Sequence, residues 1–164
     1  MLAGVGKVET RHGTAHASSL DENGDTTIQI FGIALDGRPG VATIRDTDGG
    51  LLDGGGTWDR AVGPMQFIPG TWQRWAGDCN GDGNGDGNGD GTAGPDNLYD
   101  AAAAAGNYLC FGRGDLTAES EARTALLSYN RSVPYGTKVL EEGHRYRAAL
   151  DLPDLPPEPR AEGG

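Results

Sequence analysis

The stretch Leu2-Ala3-Gly4-Val5-Gly6-Lys7-Val8-Glu9-Thr10-Arg11-His12-Gly13 begins apolar and closes on charge and a glycine. Leu2, Val5 and Val8 stand three residues apart, which predicts one face of a helix over Leu2 to Thr10. Gly13 predicts its end. Glu9 then falls in the last turn of a mainly apolar helix, beside a chain break, at the lip of a cleft. Partial loss of water there raises a carboxyl's hold on its proton, the property a general acid needs. Taken alone, a glutamate in a last helical turn is usually just a solvated charge.

Outward from this stretch the chain alternates loops and short helices. Residues 14–27 are polar and loop-like. Ile28-Gln29-Ile30 and Val41-Ala42-Thr43-Ile44 flank the turn Asp36-Gly37-Arg38-Pro39-Gly40 and predict a small β-hairpin. Residues 45–57 are glycine-rich loop, in which Asp46, Asp48, Asp53 and, just beyond, Asp59 read as solvated acids. Pro69 suits the first turn of a helix reaching about Ala76. An alanine run predicts another from about Asp100 to Cys110. Thr117 is placed to cap a third, with Glu119 and Glu121 in its first turn and Ala122, Ala125, Leu126 and Tyr129 on its buried face. A last helix starts near Pro134, with Tyr135, Val139, Tyr146 and Leu150 inward. The fold class expected is therefore mainly α: one helical domain over residues 1–150 with a small β element. Residues 151–164, acidic and proline-rich, predict a disordered tail.

The 164 residues are enough for one domain with a real core. Thirteen Lys and Arg stand against 24 Asp and Glu, a formal charge of -11. No basic patch of the kind nucleic-acid binders carry is present in the sequence. No apolar run approaches the ~20 residues of a membrane helix. Cys79 and Cys110 flank the acidic stretch. A bond between them suits an oxidising compartment, and two free thiols are the alternative.

The acid is concentrated. Asp78, Asp82, Asp86, Asp90, Asp96 and Asp100 fall in one short segment, with Asp-x-Asn-Gly-Asp-Gly in three overlapping registers. That is the opening of a calcium loop, oxygen ligands at positions 1, 3 and 5 and glycine at 6. The usual glutamate at position 12 is missing in every register: Gly89, Ala93 and Asn97 stand there. A loop three residues longer, starting at Asp86, closes on Asp100 at the head of the alanine helix. The expected ligands are Asp86, Asn88, Asp90, the Thr92 carbonyl and Asp100, in an EF-hand-like loop spanning 78–100 and holding a structural Ca2+. A flexible acidic linker or a dockerin-like binding module would also explain this segment.

Two further stretches bear on chemistry. Arg60-Ala61-Val62-Gly63-Pro64-Met65-Gln66-Phe67-Ile68-Pro69 is an apolar wall stiffened by prolines with one amide, Gln66, a surface suited to a sugar ring bearing an N-acetyl group. Leu126-Leu127-Ser128-Tyr129-Asn130-Arg131-Ser132 is a helix end carrying a phenol and an amide. Together, in this order and with the acidic loop between the second and third, the three stretches resemble the lytic murein transglycosylases of the membrane-bound lytic transglycosylase B type over roughly residues 1–150.

The resemblance implies a lysozyme-like α+β fold and peptidoglycan as substrate. It implies Glu9 as the catalytic acid, Gln66, Tyr129 and Asn130 along the glycan groove, and Thr57 and Tyr108 as further groove residues. It also implies a longer-than-standard calcium loop, in agreement with the spacing above. The family's preceding helices have no counterpart before Leu2, so the expectation is a catalytic domain shortened at its N-terminus, acting outside the cytoplasm as a monomer whose export signal lies elsewhere. With no second acid in a comparable setting, a single-acid, non-hydrolytic cleavage that leaves 1,6-anhydro ends is expected. A hydrolytic lysozyme on the same fold and a non-catalytic calcium-dependent wall-binding module are the alternatives.

Overall fold

The computed structural model describes residues 1–76, 89 and 91–153. The acidic-loop residues Asp78, Asp82, Asp86, Asn88 and Asp90, Cys79, and residues 154–164 of the expected tail lie outside them. The fold is mainly helical, with five α-helices: α1 (Leu2–Thr10), α2 (Pro69–Trp75), α3 (Leu98–Cys110), α4 (Glu119–Tyr129) and α5 (Val133–Ala149). A 3-10 turn occupies Ala15–Ala17. No helix among the described residues is long and apolar enough to cross a membrane.

α1 has the expected bounds but not the expected buried face. Gly4, Val5, Gly6 and Thr10 are buried, whereas Leu2 is exposed and Val8 only half-covered. Glycine explains the difference. A Cβ at Gly4 would collide with the backbone carbonyl of Val139, so α1 lies directly against the α5 backbone. On α5, Val139 and Gly143 meet Gly4, Gly136 is buried against Leu126 of α4, and Leu150, expected inward, is exposed. A hydrophobicity pattern cannot see a seam whose contact residues are glycines.

The other helices pack around Val5, Val62, Met65, Phe67, Trp72, Leu109, Leu126 and Val139. Ala101, Ala104 and Ala105 form the inner face of α3. α3 begins two residues before the expected Asp100, because the Asn97 side chain accepts hydrogen bonds from the Tyr99 and Asp100 amides and caps it. α4 starts at Glu119 with Ala118 at its cap position, not Thr117, whose amide donates instead to Asp115 Oδ1 at 2.8 Å. Ser132 caps α5, its Oγ accepting from Tyr135 N.

The expected hairpin reduces to a turn. Asp36 and Thr43 form a single bridge, flanked by hydrogen bonds from Gly37 N to Ala42 O and from Ile44 N to Leu35 O. Ile28–Ile30 do not pair with 41–44; the Ile30 carbonyl instead accepts from Gly63 N at 2.9 Å. Every pairing in this region is an isolated bridge. Segments this short and glycine-rich offer too few cross-strand pairs to extend a ladder.

Candidate active site at the end of the first helix

The chain positions Glu9 by tying down the residue after it. Thr10 Oγ1 donates to the Pro64 carbonyl at 2.6 Å and accepts from Gly13 N at 2.8 Å, both bonds buried. The end of α1 is thereby fastened to the Gly63–Phe67 turn. That turn is itself pressed onto the approach to α3: Gly63 has φ +72, and a Cβ there would overlap the Pro95 carbonyl. Past α1 the backbone is strained. Arg11, His12, His16 and Ala17 all hold positive φ, between 54 and 64°, at a cost of about 1 kcal/mol each for residues other than glycine. Such strain concentrates where a fold must aim particular side chains.

The Glu9 carboxyl is half-buried. Loss of water raises its proton affinity above the ordinary glutamate level, and a hydrogen bond from Tyr135 partly offsets that rise. The bond is short, Tyr135 Oη donating to Glu9 Oε1 at 2.6 Å. Burial, and then the neighbouring Glu9, push the Tyr135 phenol far up, so it remains a donor at every physiological pH. Tyr129 is raised for the same two reasons in the same order, and its hydroxyl donates to the Met65 carbonyl at 2.7 Å. The site therefore joins α1, the 63–67 turn, the end of α4 and the start of α5.

Of the expected groove residues, Tyr129 lies near enough to Glu9 for their charges to interact. Tyr108 meets Tyr129 at a 45° tilt with centroids 5.7 Å apart, and its hydroxyl donates to the Ser128 carbonyl. Gln66 directly follows Met65; its φ is 54° and its Nε2 donates to the Gly63 carbonyl at 3.0 Å, so the backbone aims the amide. Asn130 is exposed at the C-cap of α4, one residue beyond Tyr129. Thr57 is exposed and its carbonyl accepts from Asp46 N, which places it with the acidic turn described below rather than with Glu9.

Two residues not expected from sequence join the site. Tyr135 was expected only as an inward residue of the last helix and proves to be the partner of the acid. Glu142, seven residues on along the same face of α5, lines the cavity of about 520 Å³ beside Glu9. The i, i+3, i+7 spacing of Tyr135, Lys138 and Glu142 was the available signal. Glu142 is held by Arg145 Nη1 at 2.7 Å.

The acidic turn is a second cluster, and here the expectation of solvated carboxylates fails. Asp53 and Asp59 are 3% and 0% exposed. Asp59 accepts from Thr47 N at 2.9 Å and from Thr47 Oγ1 at 2.7 Å, and Asp53 from Gly55 N and Arg60 N. These carboxylates stand in for backbone partners that a loop lacks, which is why they are buried. Oxygens of Asp46, Asp48 and Asp59 converge within 4.8 Å of one another, a group that could hold a metal ion. Of the expected calcium ligands, the described ones are Thr92, exposed, and Asp100, buried at the head of α3 with Oδ2 accepting from Gly94 N at 2.8 Å. Cys110 is exposed.

Compared with protein families, with curated proteins and with solved structures, the chain finds no match in any of the three.

Proposed function

We propose that this chain is a lytic murein transglycosylase with a lysozyme-like fold, acting outside the cytoplasm, and that Glu9 is its sole acid and base. The observation that carries the reading is the setting of Glu9: a half-buried carboxyl with raised proton affinity, steadied by one phenol that cannot lose its proton. A row of aromatic rings supports a carbohydrate substrate. Tyr129, Tyr108, Trp75 and Phe111 follow one another with centroids 5.7, 5.5 and 4.8 Å apart, from the acid's neighbour to an exposed phenylalanine. The apolar faces of sugar rings pack on such a row.

In the proposed reaction the Glu9 carboxyl protonates the oxygen between N-acetylmuramic acid and N-acetylglucosamine, and the C1–O bond breaks. The muramic N-acetyl oxygen supports the cationic C1. The Glu9 carboxylate then takes the proton from the 6-hydroxyl, whose oxygen bonds to C1. No water is consumed and a 1,6-anhydro ring results. Gln66 and Asn130 orient N-acetyl groups, and Tyr129 packs near the reacting ring. Calcium, held by Asp86, Asn88, Asp90, the Thr92 carbonyl and Asp100, would serve the loop ahead of α3 and take no part in the chemistry. Buried Asp100, already turned back to the Gly94 amide, fits the closing position of such a loop.

One observation favours a second reading, hydrolysis. Glu142 places another carboxylate on the cavity beside Glu9, and glycosidases that add water commonly use two. Mass spectrometry of digested peptidoglycan separates the readings. Ends lighter by one water are expected from the transglycosylase. Reducing ends alone would establish the hydrolase, and intact walls would favour the calcium-dependent binding module or a chain too short to act.

A further inference from the structure

The cavity beside Glu9 has a charge of its own. Lys7, Arg11 and Lys138 line it together with His16. Among the described residues none of the three cations is ion-paired: the bridges join Arg38 to Asp36, Arg123 to Glu119 and Arg145 to Glu142. The opposing carboxylates are accounted for. Glu142 is engaged by Arg145, and Glu9 accepts the Tyr135 hydroxyl. In a chain of net charge -11, a cavity bounded by three unpaired cations is against the overall composition. Lys7 and Arg11 also suit the C-terminal end of α1, where the helix dipole favours positive charge. Lys138 has no such reason, since it stands past the first turn of α5. Arg11 and His16 reach the cavity from backbone held in the left-handed region.

We propose that this cavity is a subsite for carboxylates carried on the glycan next to the bond being cleaved, with Lys7, Arg11 and Lys138 as its recognition groups. This rests on the murein reading, and it names the substrate more closely: strands whose muramic acid bears its acidic peptide substituent, in preference to neutral glycan. The cations lie within one cavity with the acid, so a bound carboxylate would fix the register of the sugar relative to Glu9. Exposed charges act over roughly 10 Å at 0.1 M salt, so the preference weakens as salt rises.

The test is binding, with cleavage disabled by Glu9→Gln. The probes are fluorescent peptide-bearing murein strands and the same strands after carbodiimide amidation of their carboxylates, which removes charge and keeps the sugars. The expected result is roughly tenfold tighter binding of the unamidated strands at low salt. Adding Lys7→Gln and Lys138→Gln to the Glu9→Gln protein, with an unchanged circular dichroism spectrum and melting curve, should bring the ratio close to one. Equal affinity for both strands would overturn the subsite while leaving the murein reading intact, and so would a ratio that survives the two lysine substitutions. Failure to bind either strand would overturn both.

Discussion

Glu9 and the acidic turn around Asp46 are both sets of carboxylates on glycine-flanked backbone, and the fold treats them in opposite ways. Glu9 loses water and gains one hydrogen bond, so its proton is held more tightly than in a free glutamate. Asp46 is half-buried too, but its Oδ1 collects the backbone N–H groups of Asp48, Gly49 and Gly50; those bonds, that of Asp48 foremost, hold its proton affinity below the ordinary value. The deciding quantity is how many donors meet the carboxylate for the water it gives up. One region is suited to delivering a proton. The other is suited to staying anionic, as loop scaffold or beside a cation.

This contrast can be broken at several points. The largest effect is expected at the acid: Glu9→Gln should lower murein cleavage by about a thousandfold, measured as release of soluble muropeptides, because a general acid contributes on that scale. Asp59→Ala should act on stability instead. It removes a buried carboxylate and the two bonds that hold exposed Thr47 to it, and chemical denaturation should register a loss of about 1–2 kcal/mol. Tyr135→Phe is a finer cut. Its bond holds the Glu9 proton affinity down, so its removal should shift the alkaline limb of the activity profile to higher pH, with a rate loss of roughly fivefold.

The smallest effect is a pH-dependent one in stability. The folded chain binds the Glu9 proton more tightly than the unfolded chain, so the native state loses stability as pH rises from the unfolded pKa through the folded one. Glu9→Gln removes that loss. Above the folded pKa the variant should be more stable than the parent, and below the unfolded pKa the two should melt alike.

Much of the helical scaffold was legible in the sequence. Apolar spacing located α1 and α4, Pro69 located α2, and the alanine run located α3. What was not legible shares one cause: it depends on backbone meeting backbone or on residues distant in sequence. The α1–α5 seam is built on Gly4 and Gly143, which carry no hydrophobic signal. The 28–30 segment faces Gly63 instead of its expected hairpin partner. Buried Asp53 and Asp59 looked solvated because their partners are loop amides. At the candidate site, Glu9, Gln66 and Tyr129 stand in local motifs and Tyr108 came from the resemblance alone, whereas Tyr135 and Glu142 reach Glu9 only through the packing of α5 on α1.

The central claim is that the fold makes Glu9 an acid while keeping Asp46 an anion. A carbon-detected NMR titration of the side-chain carboxyl signals follows both groups in one sample. Glu9 is expected to titrate above 4.5 and Asp46 below 3.8. A Glu9 midpoint at or below 4.5 would contradict the account, since a carboxyl that gives up its proton as readily as a free glutamate has no reserved proton to deliver.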